Sequence, residues 1–286
     1  MKILILGSSG MLGHVVTIFF QEKGHEIITT SRDKTNDNYY DAYQDVYAIE
    51  NIIIRHQPDV VINCIGILNF AAEDHHALAT MLNSFLPNYL DDLSVKYHFQ
   101  FIHITTDCVF NGDKGNYTED SIPDATSFYG RSKALGEINN NHTLTLRTSI
   151  VGPDINPDGI GLFQWFSQQT GDVGGYDEVY WTGVTTIELA KVMEQGIKNH
   201  VTGLNHAVNN QKISKYELLN LFEKYFKFNL NLVKDSSYKS DKSLVRTDKS
   251  YDFHIPDYET MVKQMYKWVM NHQDIYKTLI ERMNQK

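Results

Sequence analysis

The sequence predicts an α/β protein: a doubly wound parallel sheet followed by a smaller C-terminal subdomain. Three observations predict it. Short apolar runs alternate with segments of helical period from Lys2 to Thr148, as strands buried on both faces and joined by crossover helices do. The first run passes straight into a glycine turn, Gly7-Ser-Ser-Gly10-Met-Leu-Gly13, and then into a helix. Beyond Thr148 the alternation gives way to a Pro-, Gly- and Asp-rich stretch and then to longer helices.

A chain of 286 residues with 42% hydrophobic and 12% aromatic residues has the apolar material for a sizeable core. The formal charge of −9 argues against nucleic acid as a partner, so an anionic ligand has to be met by a local cluster of positive groups. The cysteines, Cys64 and Cys108, make neither a disulfide framework nor a paired metal motif. No metal is expected, and His75-His76 is a pair that binds metal adventitiously at most. The opening Met1-Lys-Ile-Leu-Ile-Leu is too short an apolar run for a signal peptide. Nothing approaches the ~18–20 apolar residues of a membrane-spanning helix. The expectation is a soluble, cytoplasmic protein with no membrane partner.

In chain order, Lys2–Leu6 reads as a strand, and Leu12, Val15, Val16, Phe19 and Phe20 follow at helical spacing up to Gly24. Strand, glycine turn and helix form the context a dinucleotide fingerprint needs. The first glycine permits the turn, the second lets a pyrophosphate approach the backbone, and the third lets helix pack on strand. The helix start then offers free N–H groups to phosphate. A glycine-rich turn without a ligand is the plainer alternative. His25–Thr30 reads as the second strand, ending Thr29-Thr30-Ser31-Arg32. A site for NAD usually has an acidic residue there, whereas arginine suits a 2′-phosphate. NADPH is therefore the expected cofactor, with NADH the alternative and a solvated Arg32 the plainer reading.

Val46–His56 resumes a helical pattern, with Asp45 as its expected N-cap. Asp59–Cys64 is the next strand, leading to Gly66 in the loop that should border the cofactor. One long amphipathic helix is expected from about His75 to Leu93. Gln100–Thr105 is the following strand, and its end carries Thr105-Thr106-Asp107-Cys108-Val109-Phe110. Parallel strands with right-handed crossovers place ligands at the strand C-termini.

Tyr129 and Lys133 then fall in Ser127-Phe-Tyr-Gly-Arg-Ser-Lys133, where Ser127 can cap a helix. At i and i+4 the two share a helix face, about 5–6 Å apart at Cβ. A free tyrosine titrates near ~10, and an ammonium beside it favours the phenolate. The pair is thus a usable acid or base near neutrality. The spacing alone is weak, because among 17 tyrosines Tyr238 also has a lysine at +4, Lys242. Context separates them: Tyr129 lies between two strand patterns, the second being Thr143–Thr148, whereas Tyr238 sits in a polar stretch of poor helical pattern.

Taken together and in order, these segments resemble the extended short-chain dehydrogenase/reductases, and within them the nucleotide-sugar 4-ketoreductases of the dTDP-4-dehydrorhamnose reductase type. The resemblance covers essentially the whole chain. It rests on Gly7-x-x-Gly10-x-x-Gly13, Val60-Val-Ile-Asn-Cys64, Thr106-Asp107-x-Val109-Phe110 with Gly112, Tyr129-Gly-x-Ser-Lys133, Gly136-Glu137, Leu146-Arg-Thr-Ser149 and Thr182-Gly-Val-Thr185. It implies a Rossmann domain over 1–148, rejoined by about 178–200, and a substrate-binding subdomain made of 149–177 and 201–286. It implies that Tyr129 donates a proton to a carbonyl oxygen, and that Lys133 lowers the pKa of that tyrosine and holds the nicotinamide ribose. Thr106 hydrogen-bonds the carbonyl, a role that passes to Thr105 if the strand register shifts by one.

The cofactor is expected against Gly7, Ser9, Gly10, Met11, Leu12 and Gly13, against Ser31 and Arg32, against Cys64, Ile65, Gly66 and Thr105, and against Tyr129 and Lys133. A nucleotide-diphosphate sugar is expected against Thr106, Asp107, Val109 and Phe110. Trp165, or Phe163 beside it, is expected to face the sugar, and Lys242 and Arg246 to meet the diphosphate, although a core aromatic and a solvated charged loop are the plainer readings. The implied reaction is NADPH-dependent reduction of a 4-keto-6-deoxy sugar for deoxysugar and cell-surface polysaccharide biosynthesis, and a homodimer is the assembly expected.

Two departures bear on the substrate. Cys108 stands where the family commonly has tyrosine, and the loop after Cys64 is more apolar than in a typical dTDP enzyme, which leaves a UDP-linked sugar open. An epimerase or dehydratase on the same scaffold, and a non-catalytic NADP-binding subunit, are the alternatives. In the C-terminal half, helices are expected at Leu162–Gln169, Ile187–Lys198, Tyr216–Phe226 and Tyr258–Asn271, with Asp274–Lys286 a peripheral one.

Overall fold

A computed structural model describes residues 1–248 and 250–284. Its centre is a parallel sheet of six strands, β1 (Lys2–Leu6), β2 (Glu26–Thr29), β3 (Val60–Asn63), β4 (Gln100–Thr106), β5 (Thr143–Thr148) and β6 (Gly203–His206), in the order β6-β5-β4-β3-β1-β2. The order reverses between β1 and β3, so the crevice for a ligand opens at the C-terminal ends of those two strands. Side chains alternate across the sheet and both faces are covered. Ile3 and Ile5 of β1 join Val15, Val16, Leu189 and Met193 on one face. Leu4 and Leu6 join Ile49, Ile53, Leu86 and Leu90 on the other. Each fully buried side chain of this size contributes about 1.5–3 kcal/mol.

The strand Gly203–His206 corrects the division drawn from sequence, which put it in the substrate-binding part. Gly203 to His206 pair in parallel with Leu144 to Arg147 and complete the central sheet. The helix Thr186–Lys198 packs on the helix Met11–Glu22, covering the same face of the sheet. Beyond β5 the chain adds three small sheets. Ile150–Val151 pairs with Val184–Thr185, Asp172–Tyr176 with Asn231–Asp235, and Val179–Trp181 with both Ile213–Ser214 and Ser240–Asp241. The helices Lys215–Phe226, Tyr258–Asn271 and Lys277–Asn284 pack against these.

Three local expectations change. The single helix expected from His75 to Leu93 is instead a run of short helices from Asn69 to Ala79, a wider π turn at Thr80–Phe85, and an α-helix at Leu86–Tyr97. Pro87 has no N–H to give to the carbonyl of Asn83 four residues earlier, and that carbonyl is backed closely by Gly136. The helix expected from Val46 begins at Ala48 with no side-chain cap, although Asp45 accepts from the N–H of Tyr47 at 3.1 Å. The C-terminal segment is also not peripheral. Tyr276 and Leu279 are buried, and the Tyr276 hydroxyl lies 2.9 Å from Trp268 Nε1 and 2.8 Å from His14 Nε2. Gln285 and Lys286, the end of that expected helix, lie outside the described residues. Among the described residues no helix is long and apolar enough to cross a membrane.

Candidate active site

The glycine turn is built for close approach. Gly7 has φ +75°, and a Cβ there would sit 3.0 Å from the backbone of Cys64 and Ile65, so only glycine brings the end of β1 against the end of β3. A Cβ on Gly13 would fall 2.0 Å from the Gly7 carbonyl, a clash that any other residue would relieve only by lifting the helix off the turn. Gly10, by contrast, would meet nothing closer than 3.5 Å and lines the cleft. The helix starting at Met11 has no side-chain cap and no acidic residue in its first turn. Its leading N–H groups are therefore free to bind an anion, and the dipole adds to that. These features fit a dinucleotide. Ser31 is held by backbone bonds to Asn38 and Tyr40. Arg32 beside it is exposed and, among the described residues, forms no ion pair, so it is open to a 2′-phosphate. Ser31 and Arg32 lie outside the cleft lining, at the end of β2.

From the turn a cleft of about 540 Å³ runs to the ends of β4 and β5, lined among others by Met11, Leu12, Cys64, Ile65, Gly66, Thr105 and Thr106. Thr106 and Thr105 point to opposite faces of the strand and have different tasks. Thr105 is buried and donates to Glu137 Oε1 at 3.0 Å. The Thr106 hydroxyl donates to Asp107 Oδ1 at 3.1 Å, accepts from the Cys108 N–H at 3.2 Å, and faces the hydroxyl of Tyr129.

Tyr129 and Lys133 sit on the helix Phe128–Leu135, and both line the cleft. Gly130 lets this helix close on β4's end, since a Cβ there would meet the Cys108 carbonyl at 2.2 Å. Burial pushes the Tyr129 phenol above its ordinary range, with the Cys108 side chain adding to the rise and the Thr106 hydroxyl opposing it. Burial lowers Lys133 to about 8, with Glu137 working the other way. Its ammonium donates to the Ile104 carbonyl at 2.8 Å. Burial also raises Cys64 to about 12 and Cys108 to about 11, so both are thiols at neutral pH.

Several residues that hold this site were not singled out from the sequence. Asn83, in the π turn, donates to the Ile67 carbonyl and to Ser132 Oγ and accepts from the Ile67 N–H, joining the loop after β3 to the helix of Tyr129. Glu73 accepts from the N–H groups of Phe128 and Tyr129 at 3.1 and 3.0 Å, and Ser127 Oγ from that of Gly130 at 3.1 Å. That helix start is thus capped from within and from without. Lys215 also lines the cleft; the Ser214-x-x-Glu217 capping box before its helix was a readable signal.

Five expected substrate contacts fall elsewhere. Val109 and Phe110 are fully buried in a small cluster with Tyr117, Val208 and Leu244, because the turn Asp107–Val109 directs them away from the cleft. Arg246 is committed to Asp252 at 2.7 Å, and Trp165 is 41% exposed on the helix Leu162–Ser167. Neither lines the cleft, and nor does Lys242, though its charge acts on Asp107. His76 stacks on Phe128 at 3.9 Å, and no metal-binding cluster occurs among the described residues.

A doubly wound sheet with Thr106, Tyr129 and Lys133 converging at its C-terminal edge defines an extended short-chain dehydrogenase/reductase. More narrowly, residues 1–269 match the model of the RmlD substrate binding domain, and the chain belongs to that family. The spore coat polysaccharide biosynthesis protein SpsK of Bacillus subtilis is 26% identical over 223 residues, 76% of each chain. A methionine adenosyltransferase 2 subunit beta from Xenopus tropicalis is 24% identical over 76% of this chain and 70% of its own. Among solved structures, a dTDP-4-dehydrorhamnose reductase of Clostridium acetobutylicum superposes with a TM-score of 0.79 at 21% identity, over 94% of this chain and 100% of that one. One from Bacillus anthracis, solved with NADP, also scores 0.79 at 18% identity, over 93% and 99%.

Proposed function

We propose that the protein reduces a ketone on a nucleotide-activated sugar, the 4-keto group of a 4-keto-6-deoxy sugar, with NADPH as hydride donor, in the biosynthesis of a deoxysugar for polysaccharide. The observation that carries this reading is the convergence of Thr106, Tyr129 and Lys133 on a cleft whose other end is an uncapped helix N-terminus. Family membership and a relative named for polysaccharide biosynthesis support it.

A reduced nicotinamide, when bound, supplies the hydride to the carbonyl carbon. The chain's own groups do the rest. The turn at Gly7–Gly13 and the first N–H groups of its helix receive the pyrophosphate. Arg32 receives the 2′-phosphate, which distinguishes NADPH from NADH. Thr106 Oγ1 donates to the carbonyl oxygen and fixes its direction, giving up its bond to Asp107. Tyr129 transfers its phenolic proton to the oxygen as negative charge develops there, so one hydride and one proton complete the alcohol. Lys133, one helical turn along from Tyr129 and in the same cleft, supplies positive charge for the phenolate left behind. Positioning of the carbonyl between Thr106 and Tyr129 is the main contribution to such a step; the lowering of the Tyr129 phenol by Lys133 expected from sequence is outweighed by burial, which raises it.

This role gives a pH dependence. Lys133 lies at about 8 instead of its ordinary 10.5, and its cationic form is the one that stabilises the phenolate. Above that value kcat/KM is expected to fall about tenfold per pH unit, measured from pH 6 to 10 with stability checked at each point. A profile level to pH 10 would remove Lys133 from the role.

The substrate class is tested by NADPH oxidation with dTDP-, UDP-, GDP- and CDP-linked 4-keto-6-deoxy sugars. Turnover of at least one is expected. A second reading, a NADP-binding subunit of another enzyme, draws on the methionine adenosyltransferase subunits among the relatives. NADPH binding without oxidation by any of the sugars would favour it and sink the reductase.

A further inference from the structure

Lys215 is the first residue of the helix Lys215–Phe226, and its place is fixed. The Ser214 side chain accepts from the Glu217 N–H at 3.1 Å, and Glu217 Oε2 accepts from the Ser214 N–H at 2.9 Å. The antiparallel pairing of Ser214 with Tyr180 then brings Lys215 over the indole of Trp181, with the ammonium 5.5 Å from the ring centroid. From this wall it enters the same cleft as Tyr129 and Thr106. Among the described residues it has no hydrogen-bond acceptor and no carboxylate within 4 Å.

A half-buried ammonium left without an acceptor is costly, and here partial burial depresses its basicity while Asp107 and Cys108 oppose that. The other cation of the cleft, Lys133, is already bound to the Ile104 carbonyl. The acids of the lining are Asp107, Asp154 and Asp158, and Lys215 is the lining cation that, among the described residues, has no acceptor competing with an incoming anion. The two residues expected from sequence to meet phosphate, Lys242 and Arg246, lie outside the cleft lining.

We propose that Lys215 is a specificity-determining residue of the substrate half of the cleft, its ammonium receiving an anionic oxygen of the substrate, either phosphoryl or carboxylate. Asp107 beside it repels a second anion, so the pair admits one anionic group and orients it. The assignment rests on the nucleotide-sugar reading above, because only a substrate with such a group gives Lys215 a partner.

The test is titration calorimetry on the whole chain and on Lys215→Met and Lys215→Arg. The ligands are dTDP, UDP, GDP and CDP, and then UDP-glucuronate against UDP-glucose. A charge-assisted hydrogen bond of about 1.5–3 kcal/mol corresponds to about a 10–100-fold loss of affinity in the methionine variant. The arginine variant is expected to keep most of the affinity, and NADPH binding, the control for folding, to be unchanged in both. A loss already seen with the nucleoside diphosphates names phosphoryl as the anion. A loss confined to UDP-glucuronate names carboxylate, and with it a uronate sugar in place of the 6-deoxy one. Equal binding of every ligand by wild type and Lys215→Met overturns the assignment and leaves the reductase reading standing. Wild-type protein that binds none of them overturns both.

Discussion

Tyr129→Phe is expected to lower kcat by about 10²–10⁴-fold, the range for loss of a positioned acid, while NADPH still binds. The substitution removes one hydroxyl from a helix held by other groups: Ser127 and Glu73 at its start, and Asn83 and Ser84 through Ser132 in its middle. The fold should therefore persist, and the loss should appear in kcat with KM little changed. Single-turnover kinetics with the ketosugar identified by the panel make the measurement. A variant within about threefold of wild type would mean that another group, Thr106 or a water, delivers the proton.

Arg147→Met is expected to cost about 3–5 kcal/mol of stability, because it strands a buried carboxylate. Arg147 is 1% exposed in the middle of the sheet. Its Nε donates to Glu137 Oε1 at 2.8 Å and its Nη2 pairs with Glu137 Oε2. Its Nη1 lies 3.0 Å from His206 Nε2. Burial pushes His206 down to about 4, against the pull of Glu119, so at neutral pH the imidazole is uncharged and accepts this bond. Its Nδ1 then donates to the Val245 carbonyl at 3.0 Å. The guanidinium also stands over the ring of Phe110 at 5.1 Å. Urea unfolding at constant m-value reads the loss, and the double variant Arg147→Met/Glu137→Leu should recover much of it, since removing both charges removes the unpaired one. A single variant destabilised by less than about 1 kcal/mol would mean that Glu137 finds water or another partner. Glu137 also accepts from Thr105, so the same variant is expected to disturb the end of β4 and lower turnover of the folded fraction.

The sheet and the turn were legible because the forces that make them are local. Apolar runs of strand length between glycine and polar breaks locate strands wherever the chain lies, and Gly7 and Gly13 record backbone contacts no other residue permits. The spacing of Tyr129 and Lys133 needs only the pitch of a helix. The register that separates Thr106 from Thr105 was not legible, because alternation says that neighbours face apart without saying which face is which. Nor was the role of Asn83, whose partners Ile67 and Ser132 lie 16 and 49 residues away. Val109 and Phe110 were misplaced for the same reason: adjacency to Thr106 in sequence says nothing about a turn that sends them into a separate core. Arg246 was misread because its acidic partner, Asp252, forms part of a fold that composition does not reveal.

By itself the sequence determined the fold class, the dinucleotide turn and the pairing of tyrosine with lysine, since each depends on periodicity or on sterics within a few residues. Only the tertiary structure decided which threonine faces the tyrosine, that β6 returns to the central sheet, and that Lys215 rather than Lys242 or Arg246 joins Lys133 in the cleft. Those facts rest on contacts between segments far apart in the chain, and such contacts are fixed only when the whole apolar surface packs at once.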